Sequence, residues 1–216
     1  MMYPTGGVIT VAQQKGGSGK TTLAATLAVG FFRAGARVAL LDTDPQGSLG
    51  RWFMTRRERL GDAGMEMSTA SAWGVGYECD KLRRTCDVVI IDTPPKVDSD
   101  LRPALRAADL VVVPVAASHL DLWATEGVLD LCAREKRRVA IVLNRVKAGT
   151  RLGAEIAQAA QALHAGIATA KLGYRVAFAE SMGLGLGAQE LGNTSAATRE
   201  ADALLAELAA GLPAQG

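Results

Sequence analysis

The chain has 216 residues, of which 49% are hydrophobic, and this is enough for one compact domain with its own core. Its 24 Lys and Arg residues nearly balance 22 Asp and Glu residues, which excludes a generally polycationic protein but not a local basic surface. Three cysteines without a C-x-x-C pair argue against a disulfide framework or a structural zinc site and favour a reducing compartment.

Short runs rich in Val, Ile and Leu recur along the chain without alternating apolar and polar residues. Such runs predict strands that are buried on both faces, and therefore parallel strands covered by helices. The predicted strands are 8–12, 38–41, 88–91, 110–115 and 139–143. The longest apolar run, 110–117, is far shorter than the about 20 residues that span a bilayer, and residues 1–7 lack the features of a secretory signal. We therefore expect a cytoplasmic protein.

The segments between these strands are long enough for crossover helices. The predicted helices are 20–33, 101–108, 122–134 and 152–165, with a closing helix inside 194–212. Ser118 and Asp121 have the spacing of a helix cap at the start of the third of these helices. This order of strands and helices predicts one α/β domain over residues 1–216, with a mostly parallel twisted sheet and helices on both faces. Residues 60–80 give no clear prediction.

A glycine-rich loop between the first strand and the first helix is the strongest motif. Residues 14–21 read Gln-Lys-Gly-Gly-Ser-Gly-Lys-Thr, which matches the P-loop pattern G-x-x-x-x-G-K-[ST] except that Gln14 replaces the first glycine. Backbone N–H groups of such a loop and the following helix N-terminus bind phosphate. Lys20 would contact the β- and γ-phosphates, and the Thr21 hydroxyl would ligate Mg²⁺. The predicted nucleotide-binding residues of this loop are Lys15, Gly16, Gly17, Ser18, Gly19, Lys20, Thr21 and Thr22.

Carboxylates follow the next two predicted strands. Asp42 and Asp44 leave the second strand on the same side of the chain, because side chains alternate along an extended backbone. The four apolar residues of the third predicted strand lead into Asp92, which is the expected form of a Walker B site, and Thr-Pro-Pro follows. The carboxylate of Asp92 would lie at the carboxyl edge of the sheet, where open α/β folds bind ligands. A turn after each strand is the alternative interpretation.

These motifs closely resemble the deviant Walker-type ATPases of the ParA/MinD superfamily, whose loop reads K-G-G-x-x-K-[ST]. The resemblance covers residues 8 to about 150 and implies the fold of a P-loop NTPase that uses ATP and Mg²⁺. It implies that Lys15 reaches across an ATP sandwich dimer to the nucleotide of the other subunit, and that Asp44 positions or activates the attacking water. The implied catalytic residues are Lys15, Lys20 and Asp44, and the implied metal site comprises Thr21, Asp42 and Asp92.

The resemblance has further implications for the base and for membrane binding. Asn144 and Arg145, which follow the fifth predicted strand, resemble the pair that contacts adenine in this family. MinD-type relatives end in a basic amphipathic helix, whereas residues 196–212 carry one Arg against three acidic residues, so we expect no membrane attachment. The short N-terminus leads us to expect the compact class of the family, without an upstream DNA-reading domain. A ligase similar to dethiobiotin synthetase is the alternative.

Basic residues cluster in the second half of the chain. Residues 134–151 contain seven Lys and Arg residues against one Glu, and the ParA proteins within this superfamily bind DNA without sequence specificity as ATP dimers. Contacts to phosphate would make such binding strongly dependent on salt. The predicted DNA-binding residues are Arg137, Arg138, Lys147, Lys171 and Arg175. A second group within 51–59, which includes Arg56, could face DNA or a partner.

The resemblance therefore predicts a partitioning or positioning ATPase that is cytoplasmic and associated with the nucleoid. Its homodimer would form with ATP, bind non-specific DNA, and dissociate when a partner stimulates a weak basal ATP hydrolysis. That partner would be a ParB-like protein or a cargo adaptor. The cargo would be a plasmid, a chromosome region or a protein assembly.

Overall fold

The computed structural model describes residues 6–95, 101–147, 149–163, 165–192 and 194–212. Its sheet has seven parallel strands in the order β3-β2-β4-β1-β5-β6-β7 among the described residues. The strands are β1 (Gly7–Val11), β2 (Val38–Asp42), β3 (Glu66–Thr69), β4 (Val88–Asp92), β5 (Leu110–Ala116), β6 (Val139–Asn144) and β7 (Gly166–Ile167). The β1 strand therefore lies in the middle of the sheet.

Helices cover both faces of this sheet. They are α1 (Lys20–Arg33), α2 (Ser48–Leu60), α3 (Val75–Leu82), α4 (Arg102–Ala107), α5 (His119–Arg134), α6 (Arg151–Ala160), α7 (Val176–Gly183) and α8 (Ala196–Ala210). Apolar side chains of α1, α2, α7 and α8 pack on one face of the sheet. Those of α3, α4, α5 and α6 pack on the other. The five central strands are mainly apolar because both of their faces are buried, whereas the edge strand β3 is half-exposed.

The register of the sheet brings the ends of several strands to one edge. Asp92, the last residue of β4, lies opposite Val11 of β1 and opposite Asp42 of β2. Ala116 of β5 lies opposite Asn144 of β6. The residues that follow these strands therefore converge, as expected where an open parallel sheet binds a ligand at its carboxyl edge.

The structure confirms the predicted fold class and the five predicted strands, with ends shifted by at most one residue. The Walker B strand is the fourth strand rather than the third, because β3 precedes it. The sequence did not reveal β3, since this four-residue edge strand is half-exposed and lacks an apolar run. Residues 60–80, which gave no prediction, contain β3 and the start of α3. In the described part of the chain, no helix is both long and apolar enough to cross a membrane.

Candidate nucleotide-binding site

The phosphate loop connects β1 to α1 and depends on glycine for its shape. Gly17 and Gly19 have left-handed φ angles of 76° and 90°, which favour glycine. A Cβ atom at position 19 would also lie 2.5 Å from the Asn144 side chain, too close for any other residue. Ser18 is buried, and its hydroxyl has no hydrogen-bond partner in the described structure. The loop thus has the bent backbone of a phosphate cradle.

Lys20 and Thr21 begin α1 and face the carboxylate of Asp92. The Thr21 hydroxyl donates a hydrogen bond of 2.7 Å to Oδ2 of Asp92. Burial lowers the pKa of Lys20, while attraction to Asp92 and Asp44 opposes that change. Burial raises the pKa of Asp92 to about 7, and the hydrogen bond from Thr21 opposes it. The charges of these groups are therefore held close together in a site with little solvent.

These residues fit a magnesium ion. Oδ1 of Asp92 is buried and has no hydrogen-bond partner among the described residues, so an acceptor is available beside the Thr21 hydroxyl. Magnesium in nucleotide sites is held by one or two oxygen ligands of the protein together with phosphates and water.

Asp42 is the last residue of β2 and Asp44 lies in the turn between β2 and α2, and the two carboxylates have different surroundings. Oδ1 of Asp42 accepts a hydrogen bond of 3.0 Å from the backbone of Asp44, and its Oδ2 accepts one of 3.0 Å from Gly50. Burial raises the pKa of Asp42, and these backbone bonds oppose that change. Asp44 is half-buried and accepts a hydrogen bond from the backbone of Gln46. Asp42, predicted in the metal site, therefore holds the turn that carries Asp44.

Lys15 binds a carboxylate of its own chain. Its Nζ atom lies 2.6 Å from Oδ2 of Asp121, in the first turn of α5, and Ser118 also contacts this carboxylate. The Asp121 side chain is 7% exposed and that of Lys15 is 36% exposed. Ser118 caps α5 as predicted. The contact between Lys15 and Asp121 was not predicted, because the cap motif alone does not show that β5 places α5 beside the phosphate loop.

Asn144 and Arg145 form hydrogen bonds with the backbone of the phosphate loop. Nδ2 of Asn144 donates to the carbonyl of Ser18 at 2.9 Å, and Nη1 of Arg145 donates to the carbonyl of Gly17 at 2.8 Å. A cavity of about 300 Å³ adjoins them, within the range of small ligand sites. Its lining comprises Thr22, Asn144, Arg145, Gly173, Tyr174, Arg175, Val176, Phe178 and Ala179. The residues predicted to contact adenine thus border this cavity, which we call the base pocket after that prediction, and the segment 173–179 adds a wall that the sequence did not reveal.

The structure divides the predicted DNA-binding residues into two groups. Lys147, Lys171 and Arg175 line a cavity of about 730 Å³, together with Arg151 and Glu200. Arg137 and Arg138 precede β6, and the length of that strand, about 20 Å, separates them from this cavity. The two arginines donate to the backbone carbonyls of Ala108 and Gly211, respectively.

Arg56 is buried and faces neither DNA nor a partner, contrary to the expectation for the group within 51–59. Its side chain is 1% exposed and forms two hydrogen bonds of 2.7 and 2.8 Å with the carboxylate of Glu190. It also donates to the carbonyls of Ala63 and Gly185. Arg51, Arg57 and Arg59 are exposed. Arg57, the next residue, lies about 100° around the helix from Arg56 and therefore on a different face.

Sequence comparison relates the chain to proteins of known family. The profile of the CobQ/CobB/MinD/ParA nucleotide binding domain matches residues 9–188. The chain is 32% identical over 145 residues to Maintenance of carboxysome distribution protein A of Halothiobacillus neapolitanus, with 64% of this chain and 66% of that protein covered. It is 36% identical over 151 residues to the chromosome-partitioning ATPase Soj of Thermus thermophilus, with 58% and 59% covered. The chain thus spans about three fifths of the length of these two relatives.

Structural comparison supports the fold. The septum site-determining protein MinD from Pyrococcus horikoshii, complexed with Mg-ADP, superposes with a TM-score of 0.78 and 18% sequence identity. The superposition covers 94% of this chain and 95% of that structure. At this level of identity, the similarity concerns the arrangement of strands and helices.

Proposed function

This chain belongs to the CobQ/CobB/MinD/ParA family of nucleotide-binding domains, and from that membership we propose that it is an ATP-dependent partitioning or positioning ATPase. The observation that carries the proposal is the convergence of Lys20, Thr21 and Asp92 at the carboxyl edge of the sheet, with Thr21 and Asp92 joined at 2.7 Å. Relatives of this chain are named for carboxysome distribution and chromosome partitioning. We propose a cargo of that kind, a large assembly or a DNA molecule.

The residues of the site have separate roles in the transfer of the γ-phosphoryl group to water. Lys20 balances negative charge on the terminal phosphates, and Asp44 orients the attacking water, so no covalent intermediate is needed. Thr21 and Asp92 would hold Mg²⁺, which would supply positive charge to neutralise the phosphates. Asp42 fixes the turn that carries Asp44. Asn144 and Arg145 keep the phosphate loop closed beside the base pocket.

The second lysine of the loop makes activity depend on a dimer. We propose that Lys15 leaves Asp121 and contacts the nucleotide bound by a second copy of the chain, where its charge stabilises the phosphates. Two nucleotides would then lie between the subunits, and the homodimer would form with ATP. A ParB-like protein or cargo adaptor would stimulate hydrolysis and thereby separate the subunits.

We propose that the ATP-bound dimer binds DNA without sequence specificity. The cavity that holds Lys147, Lys171 and Arg175 presents a group of cations on one side of the molecule, as phosphate binding requires. Arg137 and Arg138 lie apart from it, so they provide a test of which basic group contacts DNA. Association with the nucleoid would follow from the ATP-bound state.

Co-sedimentation with DNA in the presence of ATP, ADP or no nucleotide, at low and moderate salt, tests the proposal. We expect binding with ATP alone, with an affinity that decreases steeply as salt increases. Replacing Lys147, Lys171 and Arg175 with Ala should weaken binding and reduce its salt dependence, while replacing Arg137 and Arg138 should have a smaller effect. Absence of DNA binding under all conditions, with product formation from a small carboxylate substrate and ATP, would instead favour the ligase function.

A further inference from the structure

The first turns of α5 carry large apolar side chains in solvent. Leu120 is 63% exposed and Trp123 is 62% exposed. The His119 ring lies against Trp123, with 6.4 Å between the ring centroids. Leu120, Trp123 and Gly127 have the spacing i, i+3, i+7 and so lie on one face of the helix. We refer to Leu120, Trp123 and Gly127 as the α5 stripe.

The α5 stripe borders the phosphate loop directly. Gly127, at its end, lies against Gln14, since a Cβ atom at position 127 would come within 2.8 Å of the Gln14 amide. The neighbouring face of α5 contacts Gln13 and Lys15, the residues before and after Gln14. Asp121 binds Lys15 at 2.6 Å, and Thr125 accepts a hydrogen bond of 3.1 Å from Gln13. The stripe is therefore continuous with the surface from which Lys15 projects.

The charges of α5 exclude polyanions as the molecule that covers the stripe. Residues 119–130 include Asp121, Glu126 and Asp130 but no Lys or Arg. DNA phosphates and anionic lipid headgroups would be repelled by this segment, because both are recognised through basic residues. A protein surface with an apolar centre is the occupant that fits, since buried aromatic side chains supply much of the affinity of protein interfaces.

We infer that the α5 stripe packs against a second copy of this chain in the ATP-bound dimer and that Trp123 becomes buried there. The inference rests on the proposed function, because the second copy must approach the phosphate loop for Lys15 to contact its nucleotide. The residues beside the loop then lie within the contact area. Phosphate contacts supply charge complementarity, and the stripe supplies the apolar centre that those contacts lack.

Tryptophan fluorescence measures the burial of Trp123 directly. The chain has three tryptophans, of which Trp52 is 2% exposed and Trp73 is 90% exposed. In a Trp73→Phe variant, Trp123 is therefore the tryptophan that acrylamide reaches. We expect the quenching constant to fall about threefold or more when the non-hydrolysable analogue AMPPNP is added, and to stay unchanged with ADP. In the matched Trp123→Phe variant, where acrylamide reaches Trp73, AMPPNP should leave the constant unchanged.

A charged substitution tests the contribution of the stripe to dimer formation. In sedimentation velocity with AMPPNP, Trp123→Glu and Leu120→Glu should each weaken the dimer at least tenfold, while Trp73→Glu, the exposed control, should not. Affinity for a fluorescent ATP analogue, measured on dilute monomer, should be the same in all variants, because none of these side chains lines the base pocket.

The outcomes separate this inference from the proposed function. If the unmodified protein binds ATP but remains a monomer with AMPPNP, both are wrong. If it forms a dimer while Trp123 stays accessible and both charged variants form dimers normally, only the inference is wrong. Protection of Trp123 that requires added DNA or another protein, rather than AMPPNP, would also overturn the inference, because the occupant would then not be a second copy.

Discussion

The two lysines of the phosphate loop lie five residues apart and serve different purposes. Lys20 is buried beside Asp92, where its charge is available to a phosphate. Lys15 is more exposed, and its ammonium group is bound to Asp121 of its own chain. Before Lys15 can contact a nucleotide in another subunit, this ion pair must break. Asp121 therefore sets part of the free-energy difference between monomer and dimer.

Asp121→Asn should promote dimer formation. The substitution removes the charge that holds Lys15, so the monomer loses an interaction worth about 1 kcal/mol, after allowance for the partial exposure of the lysine. The ATP concentration at half-maximal dimer formation, measured by sedimentation or light scattering, should fall about fivefold. Asp130→Asn, an exposed position on the same helix, is the control. An unchanged or higher midpoint in Asp121→Asn would show that the ion pair does not oppose dimerisation.

Asp44→Asn should separate hydrolysis from folding and from ATP binding. The Asn carbonyl can keep the hydrogen bond from Gln46, so the turn stays intact, but the side chain can no longer act as a base toward water. Loss of such a group slows hydrolysis about 100-fold or more. Phosphate release should therefore fall by that factor, while the dimer persists in ATP. Hydrolysis at the normal rate in this variant would remove Asp44 from the mechanism.

At the scale of elements, α2 is fastened to the segment that follows α7. Trp52 donates a hydrogen bond of 3.1 Å to the carbonyl of Leu186, and Arg56 pairs with Glu190. Gly185 passes so close to α2 that a Cβ atom there would lie 2.3 Å from the backbone nitrogen of Arg56. Because α2 follows the turn with Asp44, and α7 borders the base pocket, this contact holds two parts of the nucleotide site together.

Arg56→Leu should destabilise the protein strongly. The substitution leaves Glu190 without its cationic partner and two carbonyls without a donor, and breaking a buried ion pair in this way costs about 3–5 kcal/mol. Urea denaturation should show a free energy of unfolding reduced by that amount. Arg57→Ala, one residue along on the exposed face of the helix, should change it by about 0.5 kcal/mol or less. Similar effects of the two substitutions would contradict the structural role of Arg56.

For the molecule as a whole, the sequence was informative where a property is local or is repeated along a segment. The five central strands were predictable because burial on two faces requires uninterrupted apolar residues, as in β4. The two edge strands were not, since β7 has only two residues and β3 is half-exposed. The phosphate loop was predictable because its glycines, lysine and threonine are contiguous.

The remainder of the site depends on contacts between distant parts of the chain. Asp121 meets Lys15 across 106 positions, and Arg145 meets Gly17 across 128. The order of strands decides such contacts, and no local pattern encodes it. For the same reason, the predicted basic residues appeared as one group in the sequence although β6 separates them in space. Charge along a sequence shows that a basic surface is present but not which residues share it.

The base pocket and the cavity of Lys147, Lys171 and Arg175, here called the basic cavity, share a wall, so a change in this wall would affect both the nucleotide and the DNA binding that we propose. Gly173 and Arg175 line both cavities. Glu200, from α8, holds this wall by accepting hydrogen bonds from the backbone of Gly173 at 2.9 Å and from Arg175 at 2.5 Å. Burial opposes the ionisation of Glu200, but the hydrogen bonds from Arg175 and Gly173 lower its pKa overall. Its negative charge therefore lies in the same cavity as Lys147, Lys171 and Arg175, the residues that we propose to bind DNA.

Glu200→Gln should strengthen DNA binding and weaken ATP binding. One negative charge beside the cavity is worth about 1 kcal/mol near the surface, so DNA affinity at low salt should rise about fivefold, and the gain should decrease as salt screens it. ATP affinity should fall, because Gln can no longer hold both Gly173 and Arg175. The control is Glu207→Gln, also on α8, since Glu207 binds the backbone of Thr169 and Ala170 and does not line the basic cavity. If Glu200→Gln and Glu207→Gln change DNA and ATP affinity equally, Glu200 acts through the stability of α8 alone. If Glu200→Gln raises DNA affinity and lowers ATP affinity while Glu207→Gln does neither, this wall couples the two cavities.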